Sequence, residues 1–209
     1  MKQKTDDRGK SFWDRMAKLY APIQEKSNAA LYHALCECCQ RHITPAARVL
    51  ELACGTGQMT VPLCGGAGSW EATDFSENML AEARRRCPET VHFSMQDAEA
   101  LTCADGSFEV VLIANALHVM PHPERALAEI RRVLVPDGLL LAPTFVYEGK
   151  VNRLRMWVTC KLGFPNYFEW TFAELEELLQ KAGFTAVEKE LIPGDPLPVG
   201  FIAARRADQ

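Results

Sequence analysis

The chain has 209 residues, 48% of them hydrophobic, which is enough apolar material for one α/β core and leaves no need for a second domain. A formal charge of −4 argues against a broadly basic, nucleic-acid-gripping face, and Arg84-Arg85-Arg86 reads as the solvated end of a helix, where cations suit the dipole. The polar stretch from Met1 to Asp7 has no apolar core of a signal peptide and no apolar run reaches membrane-spanning length, so the expectation is a cytoplasmic protein without a membrane span.

In chain order, residues 11–42 read as a short helix and then a long one, parted near Ala21-Pro22 because proline cannot continue a helix interior. Trp13 and Tyr20 stand about two turns apart and share a face. Cys36 and Cys39 form a C-x-x-C pair with His33 and His42 three positions to either side. Such spacing could hold a soft metal or arsenic(III), but without a second pair the thiols read as helix-to-sheet packing and no metal is expected. Strands are expected at 48–53, 70–75, 91–96, 109–114, 139–144, 186–191 and 199–204, with helices between them. Ser76 is placed to cap a helix over 77–86, Pro123 opens one over 123–133, and Pro136-Asp137-Gly138 is a turn feeding the fifth strand. Thr171 and Glu174 make a capping box for a helix over 172–182 that ends at Gly183. The linker 193–198 is too short for a helical crossover, so the last two strands form an antiparallel hairpin.

The run 49–58, V-L-E-L-A-C-G-T-G-Q, followed by Asp74 at the end of the second strand, marks a nucleotide-type pocket. Glycines let the backbone pass close to a ligand, and a carboxylate at the tip of the next strand suits ribose hydroxyls. Two cofactor classes use this geometry. The dinucleotide version wants a small residue where Thr60 stands, and Glu51 would repel its pyrophosphate.

The string E-L-A-C-G-T-G, with Asp74 and then Gln96-Asp97-Ala98 after the third strand, closely resembles the class I S-adenosylmethionine-dependent methyltransferases. The resemblance covers residues 47–145 by motif, extends to 206 by element order, and is looser before 47. It implies a Rossmann-like three-layer sandwich, an α/β fold whose seven-stranded, mostly parallel sheet has the order 3-2-1-4-5-7-6 and ends in the antiparallel hairpin. Within a single domain it implies a helical cap at 1–46, a cofactor core at 47–145, an acceptor lid at 146–170 and a closing helix and hairpin at 171–209. Glu51 and the glycine turn would then lie at the amino-acid end of the cofactor, Asp74 at the ribose and Asp97 at the adenine. The cofactor set implied is Tyr20, Glu51, Ala53, Gly55, Thr56, Gly57, Asp74, Phe75, Met79, Asp97, Ala98 and Asn115.

The acceptor side belongs beyond the fourth strand, where Asn115-Ala116-Leu117-His118 resembles the N-A-L-H segment of the small-molecule, quinone-biosynthesis-like branch. The segment lacks the D/N/S-P-P-Y/F signature of methylation on nucleic-acid bases. His118 is the candidate base or orienting group, with backbone hydrogen bonding or pocket lining as its structural alternative. Tyr147, Trp157 and Tyr167, in an aromatic-rich connection, are the candidate acceptor walls. The expected activity is transfer of a methyl group from S-adenosylmethionine to a small, partly apolar molecule. Alternatives are arsenic(III) or thiol methylation, a non-catalytic cofactor-binding module, and a dinucleotide-dependent oxidoreductase.

Overall fold

Near-continuous apolar runs belong to strands covered on both faces. In the computed structural model, which describes residues 3–149 and 167–207, β1 (Arg48–Leu52), β2 (Ser69–Asp74) and β4 (Phe108–Ile113) are buried along most of their length. With β3 (Val91–Met95) and β5 (Leu134–Leu141) they form a parallel sheet in the order β3-β2-β1-β4-β5. The hairpin of β7 (Phe184–Ile192) and β8 (Val199–Arg206) is antiparallel, and β8 inserts beside β5. With the last strand counted as the seventh, this is the order expected from the sequence.

Three local details differ from the expectation. An eighth strand, β6 (Thr144–Phe145), continues the line of β5 and pairs with the start of β8. The cause is Pro143, which has no N–H to give to the ladder: Ala142 N still donates to Ile202 O at 2.9 Å, but Pro143 contributes only its carbonyl, to Asn115 N at 2.7 Å. β5 also begins at Leu134, because the expected turn at Pro136-Asp137-Gly138 is a bulge inside the strand. Leu134 pairs with Phe108 and Leu139 with Val110, and Asp137 takes φ 60° between them.

The leading helix differs too. α1 (Gln3–Gln40) runs through Pro22 and breaks instead at Asn28, with φ −132° and ψ 19°. Two segments exist as expected, but the joint lies further along, at a residue whose amide competes with the main chain for hydrogen bonds. The helix after the glycine turn, α2 (Thr60–Leu63), is a single turn followed by a 3₁₀ turn, since Gly65 and Gly66 cannot sustain it. α3 (Glu77–Arg86), α4 (Pro123–Val133) and α5 (Phe172–Lys181) match their expected spans to within a residue.

Leu35, Cys39, Val49, Trp70, Leu112 and Phe201 form the core between α1 and one face of the sheet. Leu50, Leu52, Val111, Ile130, Leu175 and Ile202 form the other, beneath α4 and α5. The C-x-x-C pair belongs to the first core. Cys36 lies 3.9 Å from the Met59 sulfur, and burial pushes its thiol up to about 12, far from the thiolate that metal binding needs. His33 is exposed beside Glu37, and His42 bonds Glu188 at 2.9 Å, so neither imidazole joins the thiols. No three metal-binding side chains converge among the described residues. No helix there is long and apolar enough to cross a membrane.

The capping box forms in both directions, with Glu174 N donating to Thr171 Oγ1 at 3.3 Å and Thr171 N to Glu174 Oε2 at 2.8 Å. Thr171→Ala removes the first of these bonds and is expected to lower stability by about 1 kcal/mol, read as a reduced urea midpoint with an unchanged slope.

Candidate active site

In a parallel sheet, ligands bind beyond the carboxyl ends of the strands, at the point where the connections diverge to opposite faces. Here that point lies between β1 and β4, and the chain leaves both strands through strained residues. Ala53 and Asn115 both take φ 51°, a left-handed conformation that side chains other than glycine rarely adopt. The two motif glycines then divide the work. Gly55, at φ 56°, borders the open cavity, and a Cβ there would meet nothing closer than 3.8 Å. Gly57, at φ 83°, faces the scaffold: a Cβ there would lie 3.0 Å from the Cys87 sulfur and 3.6 Å from Ala83 of α3.

Two buried carboxylates organise the turn. Asp74, 5% exposed, accepts Gly55 N on one oxygen and Ser76 N on the other, each at 2.9 Å. Ser76 in turn caps α3 through Met79 N at 3.2 Å and donates its hydroxyl to Asp14 of α1 at 2.5 Å. Glu51, 2% exposed, takes both of its hydrogen bonds on Oε2, from Thr60 Oγ1 at 2.7 Å and Trp70 Nε1 at 2.9 Å. Thr60, the residue that spoils the dinucleotide pattern, is therefore a clamp on the carboxylate below the turn. Burial outweighs these bonds, raising the Glu51 carboxyl to about 7 and that of Asp74 to about 6.

These groups surround a cavity of about 420 Å³. Of the residues expected to hold the cofactor, Glu51, Ala53, Gly55 and Asp74 line it. Phe75, Met79, Asp97 and Ala98 line one side of it, and Tyr20 and Asn115 also border it. Tyr20 meets Trp13 edge to face at 5.6 Å, so the first segment of α1 supplies an aromatic wall. Thr56 and Gly57 do not line the cavity: Thr56 is fully buried and accepts from Gln58 Nε2 at 2.5 Å. Tyr167 is on the wall and Tyr147 is not, its N–H donating to Trp170 O at 2.8 Å. Trp157 lies outside the described residues.

His118 sits behind the wall rather than on it. The 3₁₀ turn Leu117–Val119 turns the ring inward, where it is 5% exposed and meets Phe145 edge to face at 5.7 Å. Burial lowers its pKa to about 4, so the ring is neutral, and Nδ1 has no hydrogen-bond partner among the described residues. Its carbonyl accepts from Tyr167 N at 3.0 Å and Phe168 N at 3.3 Å, which holds the Tyr167 segment against the cavity. Sequence reasoning did not find Tyr32, Gln58, Met59, Glu99 or Met120, which also line the cavity. Tyr32 shares the helical face of Leu35 and Cys36, and only that proximity to core positions could have signalled it.

Residues 49–138 match a family model described as a methyltransferase domain. The chain is 41% identical over 101 residues to a demethylmenaquinone methyltransferase of Renibacterium salmoninarum, covering 48% of this chain and 42% of that protein. It is 36% identical over 113 residues to a ubiquinone/menaquinone biosynthesis C-methyltransferase of Burkholderia mallei, covering 51% of this chain and 46% of that protein. The matched stretch thus spans less than half the length of either relative. Among solved structures, a SAM-dependent methyltransferase of Thermotoga maritima superposes with a TM-score of 0.77 at 25% identity, over 94% of this chain and 99% of that one.

Because the folded protein holds protons on Glu51 that the unfolded chain has lost above its ordinary 4.5, this group's contribution to stability falls as pH rises from 4.5 to about 7. Asp74 acts in the same direction and His118 in the opposite one, so the difference between wild type and Glu51→Gln isolates the effect. The Gln protein is expected to be more stable by about 1–3 kcal/mol at pH 8 and to match wild type near pH 4.5, as measured by chemical denaturation across that range.

Proposed function

We propose that this chain, which carries a class I S-adenosylmethionine-dependent methyltransferase domain, transfers a methyl group from S-adenosylmethionine to a small, partly apolar acceptor. One observation carries the reading. Four carboxylates, Glu51, Asp74, Asp97 and Glu99, line the cavity, and no lysine, arginine or histidine does so among the described residues. Such a lining disfavours a pyrophosphate and favours a cation, which would also relieve the cost of burying Glu51 and Asp74.

When bound, S-adenosylmethionine supplies a methyl group on a positively charged sulfur, an electrophile that needs no covalent help from the protein. The chain's part is to hold and orient. Asp74 retains lone pairs for ribose hydroxyls after accepting two amide protons, and Glu51 keeps Oε1 for a positive amine at the glycine-turn end. Phe75 and Met79 pack beside the adenosine portion, with Asp97 and Ala98 at its base edge. Ala53 and Gly55 let the backbone approach closely.

The acceptor's nucleophilic atom approaches in line with the breaking carbon–sulfur bond. The bond's electron pair stays on sulfur, and an acceptor that arrives protonated gives its proton to water or to a neighbouring base. We take the acceptor to be a quinone-type ring in its reduced form, on the strength of the two relatives named for such chemistry and of the apolar wall of Val119, Met120, Pro121 and Tyr167. His118 acts in this reading as a prop for the Tyr167 segment. A cytoplasmic setting and a small-molecule rather than nucleic-acid acceptor belong to the same proposal.

Asp74→Asn removes the charge while preserving the shape. It is expected to weaken S-adenosylhomocysteine binding by about 10- to 100-fold, or ~1.5–3 kcal/mol, in isothermal titration. An unchanged affinity places the ribose elsewhere. Labelled methyl groups should appear on a hydroquinone incubated with enzyme and donor, and their absence across a panel of reduced quinones rejects the acceptor class.

A further inference from the structure

We infer that Tyr32 and Asn115 form an uncharged subsite for a neutral hydroxyl or carbonyl oxygen on the acceptor ring, and that acceptors bearing a carboxylate or phosphate are turned away. The inference rests on the donor reading above and assigns the polar anchor that the reading leaves open.

The first observation is an unsatisfied amide. Both polar atoms of the Asn115 side chain are buried and neither makes a hydrogen bond of normal length among the described residues; its polar neighbour is the Tyr32 phenol, which the amide stabilises only weakly. A buried polar group left unpaired loses its hydration with nothing in return. This one also sits on a strained backbone, φ 51°, held in place by the bond from its own N–H to Pro143 O at 2.7 Å. A buried amide held in place at a cavity residue without a hydrogen bond of normal length points to a partner that comes from outside the protein.

The second observation is the company the amide keeps. Tyr32, on the second segment of α1, reaches the cavity beside Asn115 and Tyr20. Burial, reinforced by the Tyr20 hydroxyl that hydrogen-bonds it, raises the Tyr32 phenol well above its ordinary range, while the Asn115 amide pulls it the other way, so at neutral pH Tyr32 keeps its proton and shares it within a Tyr20–Tyr32–Asn115 group that an incoming oxygen would join. A phenol O–H and an amide NH₂ together offer two neutral donors, a match for one oxygen with two lone pairs. Ala116, Val119, Met120 and Tyr167 border the same cavity and provide apolar surface for the ring that carries the oxygen.

The third is charge. The cavity already holds Glu51, Asp74, Asp97 and Glu99, and the described residues give it no cation. Binding the donor's positive charge offsets part of this, but an acceptor with its own carboxylate would still meet a net negative wall at low dielectric. A ring with uncharged oxygens meets no such penalty. A competing claimant for the Tyr32–Asn115 pair is the donor's own carboxylate, and the experiment separates the two.

The full-length chain is saturated with S-adenosylhomocysteine and titrated calorimetrically, without oxygen, with 1,4-naphthohydroquinone and with the same ring bearing a carboxylate. The hydroquinone is expected to bind at least about 10-fold more tightly than its carboxylated analogue. Tyr32→Phe, which keeps the ring's packing, is expected to weaken the hydroquinone by about 5- to 20-fold and to leave S-adenosylhomocysteine affinity within about twofold. Asn115→Ala is expected to act in the same direction. The subsite is overturned if both variants bind the hydroquinone like wild type, if the carboxylated ring binds as tightly, or if Tyr32→Phe loses S-adenosylhomocysteine affinity instead. It is also overturned if the saturated wild-type protein binds no hydroquinone. Failure of S-adenosylhomocysteine to bind wild type overturns the donor reading itself, and the subsite with it.

Discussion

The Asp74 carboxylate is the interaction on which the rest of the site depends. One oxygen fixes the glycine turn through Gly55 N, the other fixes the approach to α3 through Ser76 N, and Ser76 passes the connection on to Asp14 of α1. Three segments far apart in sequence therefore take their positions from a single side chain. Hydrogen bonds to a charged group are worth more than neutral ones, yet burial still raises this carboxyl to about 6. The protein keeps an expensive anion where an apolar group would be more stable. On the proposed reading a positively charged ligand offsets that cost, and Glu51 repeats the arrangement one strand away, under the clamp of Thr60 and Trp70.

Much of this was legible in the sequence because the signals are short-range. The strands followed from the alternation of apolar runs and the hairpin from a six-residue linker too short for a helical crossover, whereas their order in the sheet came from the family resemblance. Ser76, Thr171 and Glu174 announced their caps through residue type at fixed offsets. Glu51 and Asp74 were legible because each ends or nearly ends a strand, and strand ends are where a parallel sheet presents ligands.

What escaped the sequence depends on direction. His118 has the chemistry of a base, but one 3₁₀ turn decides whether its ring faces the cavity or the Phe145 side, and spacing does not encode that choice. Tyr32 looks like any aromatic on a core-facing helix. Pro22 is a helix breaker by type, yet the helix continues through it and yields at Asn28. Thr56 and Gly57 belong to the motif by position, but they serve packing against α3 and not the cavity. Sequence likeness to the curated relatives covers about half of the chain, while the fold is shared with the Thermotoga maritima enzyme over 94% of it. The stretch matched by the family model holds Glu51, Asp74 and Asp97 of the cavity. Tyr20, Tyr32 and Tyr167, which also line the cavity, lie outside that stretch.

The break in α1 has a mechanical consequence. Trp13, Asp14 and Tyr20 precede Asn28, whereas Tyr32 follows it on the segment anchored to the sheet by Leu35 and Cys39. The two tyrosines that flank the inner cavity are thus mounted on opposite sides of one backbone joint. One side of the joint is tied to the start of α3 through Asp14 and Ser76 and the other to the sheet, so a change in the backbone at Asn28 bears on the aperture between the tyrosines while both cores stay as they are.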